Sequence, residues 1–277
     1  MSDDERMPPL PWWDSREARR AARAERRRER HDARDARHDP GTGRVPLDPD
    51  RIVAAALHIL DSEGLAALTI RRLATELGTG AMTLYWYVQN KDELLDLVAD
   101  RVTTEVTIPA DGTWRERAEA MALSFRDALL RHPAALPYMS ERPLLGPGAL
   151  RIMDAALGVF LRAGFPDDDA ADAYFTVANY VTGFSVWQAS AVRLPGQAAA
   201  GQRDVAAMAR DYVDRLPADR YPNLVPLAPR IFGARATLDQ RFRFGLACLL
   251  DGLEVRLGRS GAASRAGAGP APGVAGA

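Results

Sequence analysis

Two short helical patterns separated by a glycine turn limit the possible folds of this chain more than any other feature. The first pattern covers residues 70–77 and the second covers 81–88, and the turn between them is Gly-Thr-Gly at 78–80. Leu84 and Val88 are four residues apart, so they lie on one face of the second helix and can anchor it to a core. Two short helices joined by a tight glycine turn predict a helix-turn-helix.

The residues on either side supply the helices that such a unit requires. Asp48 is placed to cap a helix over 49–63, and Gly64 is expected to end it in a left-handed conformation. Asn90 begins another helix, with Glu93 three residues later in a variant of the capping box. In a unit of this kind the second helix of the helix-turn-helix enters the DNA major groove. The sequence therefore predicts a DNA-binding domain.

The side chains of the second helix suit a nucleic-acid surface. One stripe of a helix cannot bury the three consecutive aromatic residues at 85–87, so at least one of them must be exposed. Thr83 can hydrogen-bond to a base edge or contact a thymine methyl group. Tyr85 and Lys91 are suited to phosphates, which position a protein without reading sequence.

Composition excludes several other classes of protein. The only cysteine, Cys248, cannot form an internal disulfide, and we expect it to be a small buried hydrophobic residue. The charged N-terminus and the lack of a long apolar span predict a cytoplasmic protein with no membrane partner. The four histidines form no metal-ligand pair, and no nucleophile motif or phosphate loop is present. We therefore expect no catalytic residue, no metal site, no cofactor and no enzymatic activity.

The two ends of the chain differ from its centre. Within an extension over 1–46, residues 16–38 contain ten arginines and five acidic residues. This extension is interpreted either as a disordered charged segment or as a basic arm that adds phosphate contacts. The segment 259–277 is interpreted as a disordered Gly/Ala tail, since 13 of the 20 residues in 258–277 are glycine or alanine.

The remaining sequence is helical in pattern and indicates an all-α fold. The DNA-binding domain is assigned to 47–108, and a helical effector-binding and dimerisation domain to 109–258. Helical patterns in the second domain fall at 114–131, 134–141, 148–163, 167–193, 200–216 and 237–257, with a proline-rich loop at 217–229.

Two features of the helical domain have alternative explanations. Bulky residues between 114 and 190 are typical either of an ordinary core or of an apolar small-molecule cavity with a few polar contacts. Apolar residues and glycines cover more than one face of the 237–257 helix. That helix is therefore either fully buried in a monomer or part of an interface between two subunits.

The DNA-binding segment resembles the tetracycline-repressor (TetR) family. The resemblance is carried by Leu-Thr-Ile-Arg-Arg-Leu-Ala at 68–74, Gly78, Thr-Leu-Tyr-Trp-Tyr-Val-Gln-Asn-Lys at 83–91 and Leu-Leu-Asp at 94–96. It implies that Arg71, Ala81, Met82 and Thr83 face bases, that Trp86 and Tyr87 line the groove, and that Thr69, Tyr85 and Lys91 hold phosphates. Ala81, Met82 and Tyr87 differ from the residues in tetracycline-binding members, so a different operator sequence is expected.

The resemblance also implies a homodimer on a palindromic operator, released by a small-molecule effector. A four-helix bundle would form from the 167–193 and 237–257 helices of two chains, with Phe242, Leu246, Leu249, Leu250 and Leu253 as the dimerisation residues. The candidate effector contacts are Met121, Phe125, Tyr138, Asn179 and Trp187.

Most tetracycline contacts are replaced in this chain. Thr107, Met121 and Ala156 stand at the family's tetracycline-binding positions, Asn179 and Trp187 stand at its magnesium-binding positions, and Phe125 alone is kept. A hard cation requires oxygen ligands, so an apolar effector that binds without a metal is expected. The alternatives are a nonspecific DNA-binding protein that uses the basic arm and a regulator without a small-molecule effector.

Overall fold

The computed structural model describes the backbone of residues 47–192, 201–231 and 236–267. Every regular element within these ranges is helical, so the predicted all-α fold is confirmed. None of the described helices has the length and apolar character that crossing a bilayer demands. The helices are α1 (Pro49–Glu63), α2 (Ile70–Glu76), α3 (Ala81–Leu84), α4 (Lys91–Thr103), α5 (Trp114–Arg131), α6 (Leu136–Glu141), α7 (Pro147–Arg162), α8 (Asp167–Val192), α9 (Gly201–Asp214), α10 (Ala228–Ile231) and α11 (Ala236–Gly267).

The described residues form two compact units. The smaller unit extends to Arg101 and also includes Leu144–Pro147, and the larger unit contains Val102–Pro143 and the chain from Gly148 onward. The division falls in the last turn of α4, a few residues before the predicted boundary at 108. The predicted extension over 1–46 lies outside the described residues.

The predicted tail begins as a continuation of the last helix. Helix α11 extends to Gly267, beyond the expected end at 257. Arg256 Nε donates to Asp169 Oδ1 at 2.8 Å, and Ser260 Oγ donates to Asp169 Oδ2 at 3.1 Å, so two successive turns are tied to the start of α8. Low complexity was misleading here, because alanine favours a helix. Residues 268–277 of the predicted tail are outside the described part of the chain.

Helix α3 is shorter than the predicted helix over 81–88. After Leu84 the backbone changes to tighter bonds: Trp86 N donates to Thr83 O at 3.3 Å, and Tyr87 N donates to Leu84 O at 2.8 Å. This i to i−3 pattern is typical of a 3-10 turn at a helix end. The proline-rich loop predicted at 217–229 likewise contains a 3-10 helix, Val225–Leu227, followed by α10.

The glycine turn before α3 has the conformation that its sequence requires. Gly78 has φ +62°, which lies in the left-handed region, and Thr79 N donates to Ala74 O at 2.9 Å. Gly64 also has positive φ (86°), but its ψ of 172° places it outside the left-handed helical conformation that we expected. Both glycines end their helices without a Cβ that would oppose positive φ.

The core of the smaller unit is formed by one face of each of its helices. Ile59 of α1, Leu73 of α2 and Leu84 of α3 are completely buried, and Val88 is nearly so. The predicted anchoring of the helix-turn-helix by Leu84 and Val88 is therefore confirmed.

Helix α8 is central to the larger unit, where it packs against α5, α6 and α11. The ring of Tyr180 stacks on Phe242 of α11 with centroids 5.3 Å apart, and the Tyr180 hydroxyl donates to Phe242 O at 2.8 Å. Gly245 permits this approach, because a Cβ at that position would lie 2.3 Å from the Tyr180 hydroxyl oxygen.

Replacing Leu84 with alanine should destabilise the smaller unit by about 2–5 kcal/mol, because it removes a completely buried side chain. The matched control is Met82→Ala on the same helix, where the side chain is exposed and the expected change is within about 0.5 kcal/mol. Urea unfolding monitored by circular dichroism measures both. Equal losses of stability in the two variants would contradict this account of α3.

Candidate nucleic-acid interface and effector domain

The N-terminus of α2 is capped so that one arginine faces solvent. Thr69 is the N-cap residue, and its Oγ1 accepts a hydrogen bond from Arg72 N at 3.1 Å. Arg71, in the first turn, is exposed. Arg71 is therefore accessible to a ligand outside the protein.

The neighbouring Arg72 holds α1 and α2 together. Its Nε donates to Glu63 Oε1 at 3.0 Å, and its Nη1 donates to Glu76 Oε2 at 2.8 Å. The hydrogen bond from Arg72 lowers the pKa of Glu63, and the hydrogen bond to Glu63 raises the pKa of Arg72. This geometry separates an accessible Arg71 from an internally bonded Arg72.

The segment around α3 presents large apolar side chains to solvent. Met82 is 76% exposed and Trp86 is 56% exposed, and the two are four residues apart. Tyr85 is also exposed, whereas Ala81 and Thr83 are half-buried. Apolar side chains exposed in this way are typical of a binding surface, and here the buried Leu84 fixes them in place.

Two of the predicted DNA contacts are bonded within the smaller unit. Tyr87 is half-buried, and its hydroxyl donates to Leu47 O at 2.7 Å. Lys91 Nζ donates to Leu65 O at 2.7 Å. The Tyr87 hydroxyl therefore joins the segment after α3 to the chain before α1, and the groove role expected for Tyr87 stays a prediction. The Lys91 ammonium has three N–H groups, so one internal bond leaves donors for a phosphate.

The cap of α4 differs slightly from the predicted capping-box variant. Asn90 Oδ1 accepts from Glu93 N at 2.8 Å, as expected. The Glu93 carboxylate accepts from Gln89 N at 2.8 Å rather than from the cap residue itself.

The structure separates the five predicted effector contacts. Met121 of α5 and Tyr138 of α6 are buried, and Phe125 of α5 is half-buried. Asn179 is exposed and Trp187 is 51% exposed. The last two residues are eight residues apart on α8, and that spacing places them on one outward face rather than beside Met121 and Tyr138 in the core.

A buried charged group that the sequence did not indicate joins three helices of the larger unit. Arg126 of α5 donates from Nη1 to Asp239 Oδ1 of α11 at 2.7 Å and from Nη2 to Gln188 Oε1 of α8 at 2.9 Å. Its guanidinium carbon lies 4.5 Å from the ring centroid of Phe242. The Arg126 hydrogen bond lowers the pKa of Asp239, and Arg243 adds to this effect. An arginine in an amphipathic helix is normally exposed. The local sequence does not predict that Arg126 is buried, because the residues to which it is bonded are distant along the chain.

Three of the predicted dimerisation residues are internal to one chain. Phe242, Leu246 and Leu250 are buried in the core, so they cannot form a surface between subunits, and Leu249 and Leu253 are half-buried. The expectation that Phe242, Leu246 and Leu250 lie between two subunits is therefore corrected.

The exposed face of α11 is also apolar. Phe244, Cys248, Gly252 and Val255 form this stripe, which is called the α11 stripe below. Cys248 was expected to be buried, and its exposure is a further correction. A Cβ at Gly252 would meet no atom within 4 Å.

Helix α8 has a matching outward stripe. Phe175, Asn179, Gly183 and Trp187 recur every four residues and are exposed, and they are called the α8 stripe below. A Cβ at Gly183 would again meet nothing within 4 Å. Small residues between large apolar ones leave room for another helix to approach.

Family models match both parts of the chain. The model described as bacterial regulatory proteins, tetR family, matches residues 52–98. The model described as tetracyclin repressor-like, C-terminal domain, matches residues 108–257.

Individual regulators resemble the chain over most of its length. The HTH-type transcriptional repressor DrrR1 of Streptomyces coeruleorubidus is 40% identical over 223 residues, covering 78% of this chain and 81% of that protein. The class A tetracycline repressor protein of Escherichia coli is 34% identical, with coverage of 76% and 92%. Among solved structures, ActR of Streptomyces coelicolor in complex with actinorhodin has a TM-score of 0.68 and 40% identity, and the match covers 77% of this chain and 100% of ActR.

Replacing Arg72 with methionine should make the smaller unit less stable at neutral pH, and the loss should shrink in acid. The folded-state pKa of Glu63 lies below its ordinary value of 4.5, so its bond with Arg72 stabilises the fold above that pH. This contribution disappears as the pH falls through the lowered pKa. Urea unfolding at pH 7 and at about pH 3 measures the difference.

The matched control is Arg71→Met, which removes an exposed arginine from the same turn. Its stability should remain near that of the unmodified protein at both pH values. A loss in Arg72→Met that is independent of pH would show that Glu63 is not the partner that matters.

Proposed function

Because this chain belongs to the tetracycline-repressor family of bacterial regulatory proteins, we propose that it binds a palindromic operator as a homodimer and leaves it when an effector binds. The chain is a ligand-responsive, DNA-binding transcriptional repressor. The observation that carries the proposal is the exposed surface of α3 and the turn after it, where Met82 and Trp86 face solvent while Leu84 is completely buried. The proposed function involves no catalytic step and no cofactor.

Sequence reading is assigned to Arg71 and to the residues of α3. Arg71 is exposed at the start of α2 and can donate to a base edge. Thr83 reads a base, and Ala81 lets the backbone approach the groove. Met82 and Trp86 supply the apolar contact surface.

Phosphate contacts fix the position of α3 in the groove. Thr69, Tyr85 and Lys91 are assigned to this role, because each carries a donor at an edge of the helix-turn-helix. Tyr87 is assigned a supporting role through its bond to Leu47.

Dimerisation is assigned to the outward faces of α8 and α11. The α8 stripe and the α11 stripe contain Trp187 and Phe244, which are both exposed in the single chain, together with two glycines that have open space above them. Pairing them with a second copy would form a four-helix bundle related by a two-fold axis. A two-fold axis places the reading segments on successive major grooves, about 34–36 Å apart.

The effector is assigned to the interior of the larger unit, near Met121, Phe125 and Tyr138. ActR, which is 40% identical to this chain over the matched part, was solved with actinorhodin, which supports a small-molecule effector for this chain. Binding in this domain would shift the population towards an arrangement of subunits that no longer fits the operator spacing. Because most of the residues that bind tetracycline and its magnesium ion are replaced in this chain, an effector that needs no metal is favoured.

Selection of duplexes from random sequence should return a palindrome, and two substitutions should then act differently on it. Tyr85→Ala should weaken binding to all selected sequences by a similar amount, about 0.5–1.5 kcal/mol, because it removes a phosphate contact. Thr83→Ala should relax preference at one position in each half-site, because it removes a contact with a base. Affinities measured on single-substitution duplexes at fixed salt separate the two effects. The division of roles fails if both variants show the same sequence profile.

Placing a charge in each stripe should separate the subunits. The double variant Trp187→Glu/Phe244→Glu puts four carboxylates into the proposed bundle, so sedimentation should show a monomer with sharply reduced operator affinity. Leu161→Glu is the control, since Leu161 is an exposed apolar residue on α7, outside both stripes. A double variant that still sediments as a dimer would place the interface elsewhere.

A further inference from the structure

We infer that Arg126 binds an acidic group of an aromatic effector, and that this group takes the place of the Gln188 amide oxygen. The inference rests on the proposed effector function and identifies the chemical class of the ligand. Its basis is a guanidinium that is buried in an aromatic cluster and incompletely bonded.

On one edge of the Arg126 guanidinium, Nη2 is hydrogen-bonded and Nε is not. The side chain is deeply buried, and the residue as a whole is 5% exposed. Nη1 is bonded to Asp239 and Nη2 to Gln188. Nε is buried and has no hydrogen-bond partner within the described ranges 47–192, 201–231 and 236–267. A buried N–H of this kind is rare in proteins and calls for a partner.

The geometry of the guanidinium determines which partner fits. Nε–H and one N–H of Nη2 are parallel on the same edge, and that edge matches two oxygens of one acidic group. Gln188 provides a single, neutral oxygen to this edge. An acidic group would bond to both N–H groups, and a charged acceptor forms the stronger hydrogen bonds.

A second unpartnered group lies nearby in sequence on the same helix. Ser185 is completely buried, and its Oγ has no hydrogen-bond partner among the residues that the structure describes. It precedes Gln188 by one helical turn, so both side chains lie on the same face of α8. Ser185 is therefore assigned as a second donor to the effector.

The surroundings of Arg126 indicate an aromatic ligand. Its guanidinium carbon lies 4.5 Å from the ring centroid of Phe242 and 5.8 Å from that of Phe184. The Phe184 and Phe242 rings are themselves in edge contact, with centroids 5.3 Å apart. A flat ring carrying an acidic group would stack in such a cluster while its charge meets the guanidinium.

The carboxylate of Asp239 has other favourable contacts that remain when a second acidic group binds to Arg126. Its side chain is about half exposed, and Oδ2 also accepts from Arg243 Nε at 3.0 Å. When the effector draws Arg126 away, Asp239 keeps one ion pair and its contact with water. Effector binding is thus expected to loosen the link between α5 and α11.

Two fluorescent probes with the same ring system test the inference. The first, 8-anilinonaphthalene-1-sulfonate, carries an acidic group, and the second, N-phenyl-1-naphthylamine, is neutral. Titration of the full-length dimer should show binding of the sulfonate at least about tenfold tighter than binding of the neutral probe. Arg126→Met should abolish this preference and leave the affinity for the neutral probe within about twofold. Ser185→Ala should weaken sulfonate binding by a few-fold.

Gln188→Leu should change sulfonate binding in the direction opposite to Arg126→Met. A purely structural role of Gln188 would not produce this result. Removing the oxygen that competes for Arg126 should strengthen sulfonate binding several-fold. Arg131→Met replaces an exposed arginine on α5, the helix that carries Arg126, and should leave the affinity for both probes unchanged. Circular dichroism establishes that each variant is folded. An unchanged preference in folded Arg126→Met, weaker sulfonate binding in Gln188→Leu, or no sulfonate preference in the unmodified protein would each overturn the inference.

Operator binding distinguishes this inference from the proposed function. The same variants are assayed on the duplex selected from random sequence. Retained operator binding together with a lost sulfonate preference in Arg126→Met supports the inference. Failure of the unmodified protein to bind any duplex contradicts the palindromic-operator proposal, while the probe titrations continue to decide the role of Arg126.

Discussion

The burial of Leu84 and Val88 is the constraint on which the DNA-binding surface depends. Helix α3 contains only the four residues Ala81–Leu84, and a helix of that length has no stability of its own in water. Its conformation therefore comes from the burial of these two anchors and from packing against α2. Since the inward face is fixed in this way, Met82 and Trp86 are held outward, where they are 76% and 56% exposed. The free energy that orders Met82 and Trp86 on the outer side of this segment therefore comes from the burial of Leu84 and Val88 on its inner side.

Hydrophobic periodicity and capping were enough to predict the frame of the structure. The bounds of α1 and α5 agree with the sequence analysis, because each begins at a strong cap and has a regular apolar stripe. Contacts between distant residues were not predictable in the same way. Tyr87 is bonded to the carbonyl of Leu47, 40 residues earlier, and Arg126 to Asp239, 113 residues later. No local pattern records such pairs, so neither the bond of Tyr87 to Leu47 nor the burial of Arg126 was predicted.

The last helix shows a different limit of sequence patterns. Phe242 and Phe244 are two residues apart in a helix with apolar residues on more than one side, and either could face the core. The structure buries Phe242 against Tyr180 and exposes Phe244. A helix that packs against its own chain on one face and against a second subunit on the other carries two apolar stripes. Periodicity detects both stripes, and it cannot assign them to an inner and an outer face.

Helix α11 therefore connects the proposed effector contact to the proposed interface. Asp239 and the α11 stripe lie on the same helix, and Arg126 of α5 is joined to that helix by its hydrogen bond to Asp239. A ligand can shift a conformational equilibrium only by binding one state more tightly than the other. In the inference drawn above, an acid that replaces Gln188 at Arg126 would supply such a difference if it also weakened the bond from Arg126 to Asp239. In the proposed dimer, a shift of α11 would change the position of the partner subunit.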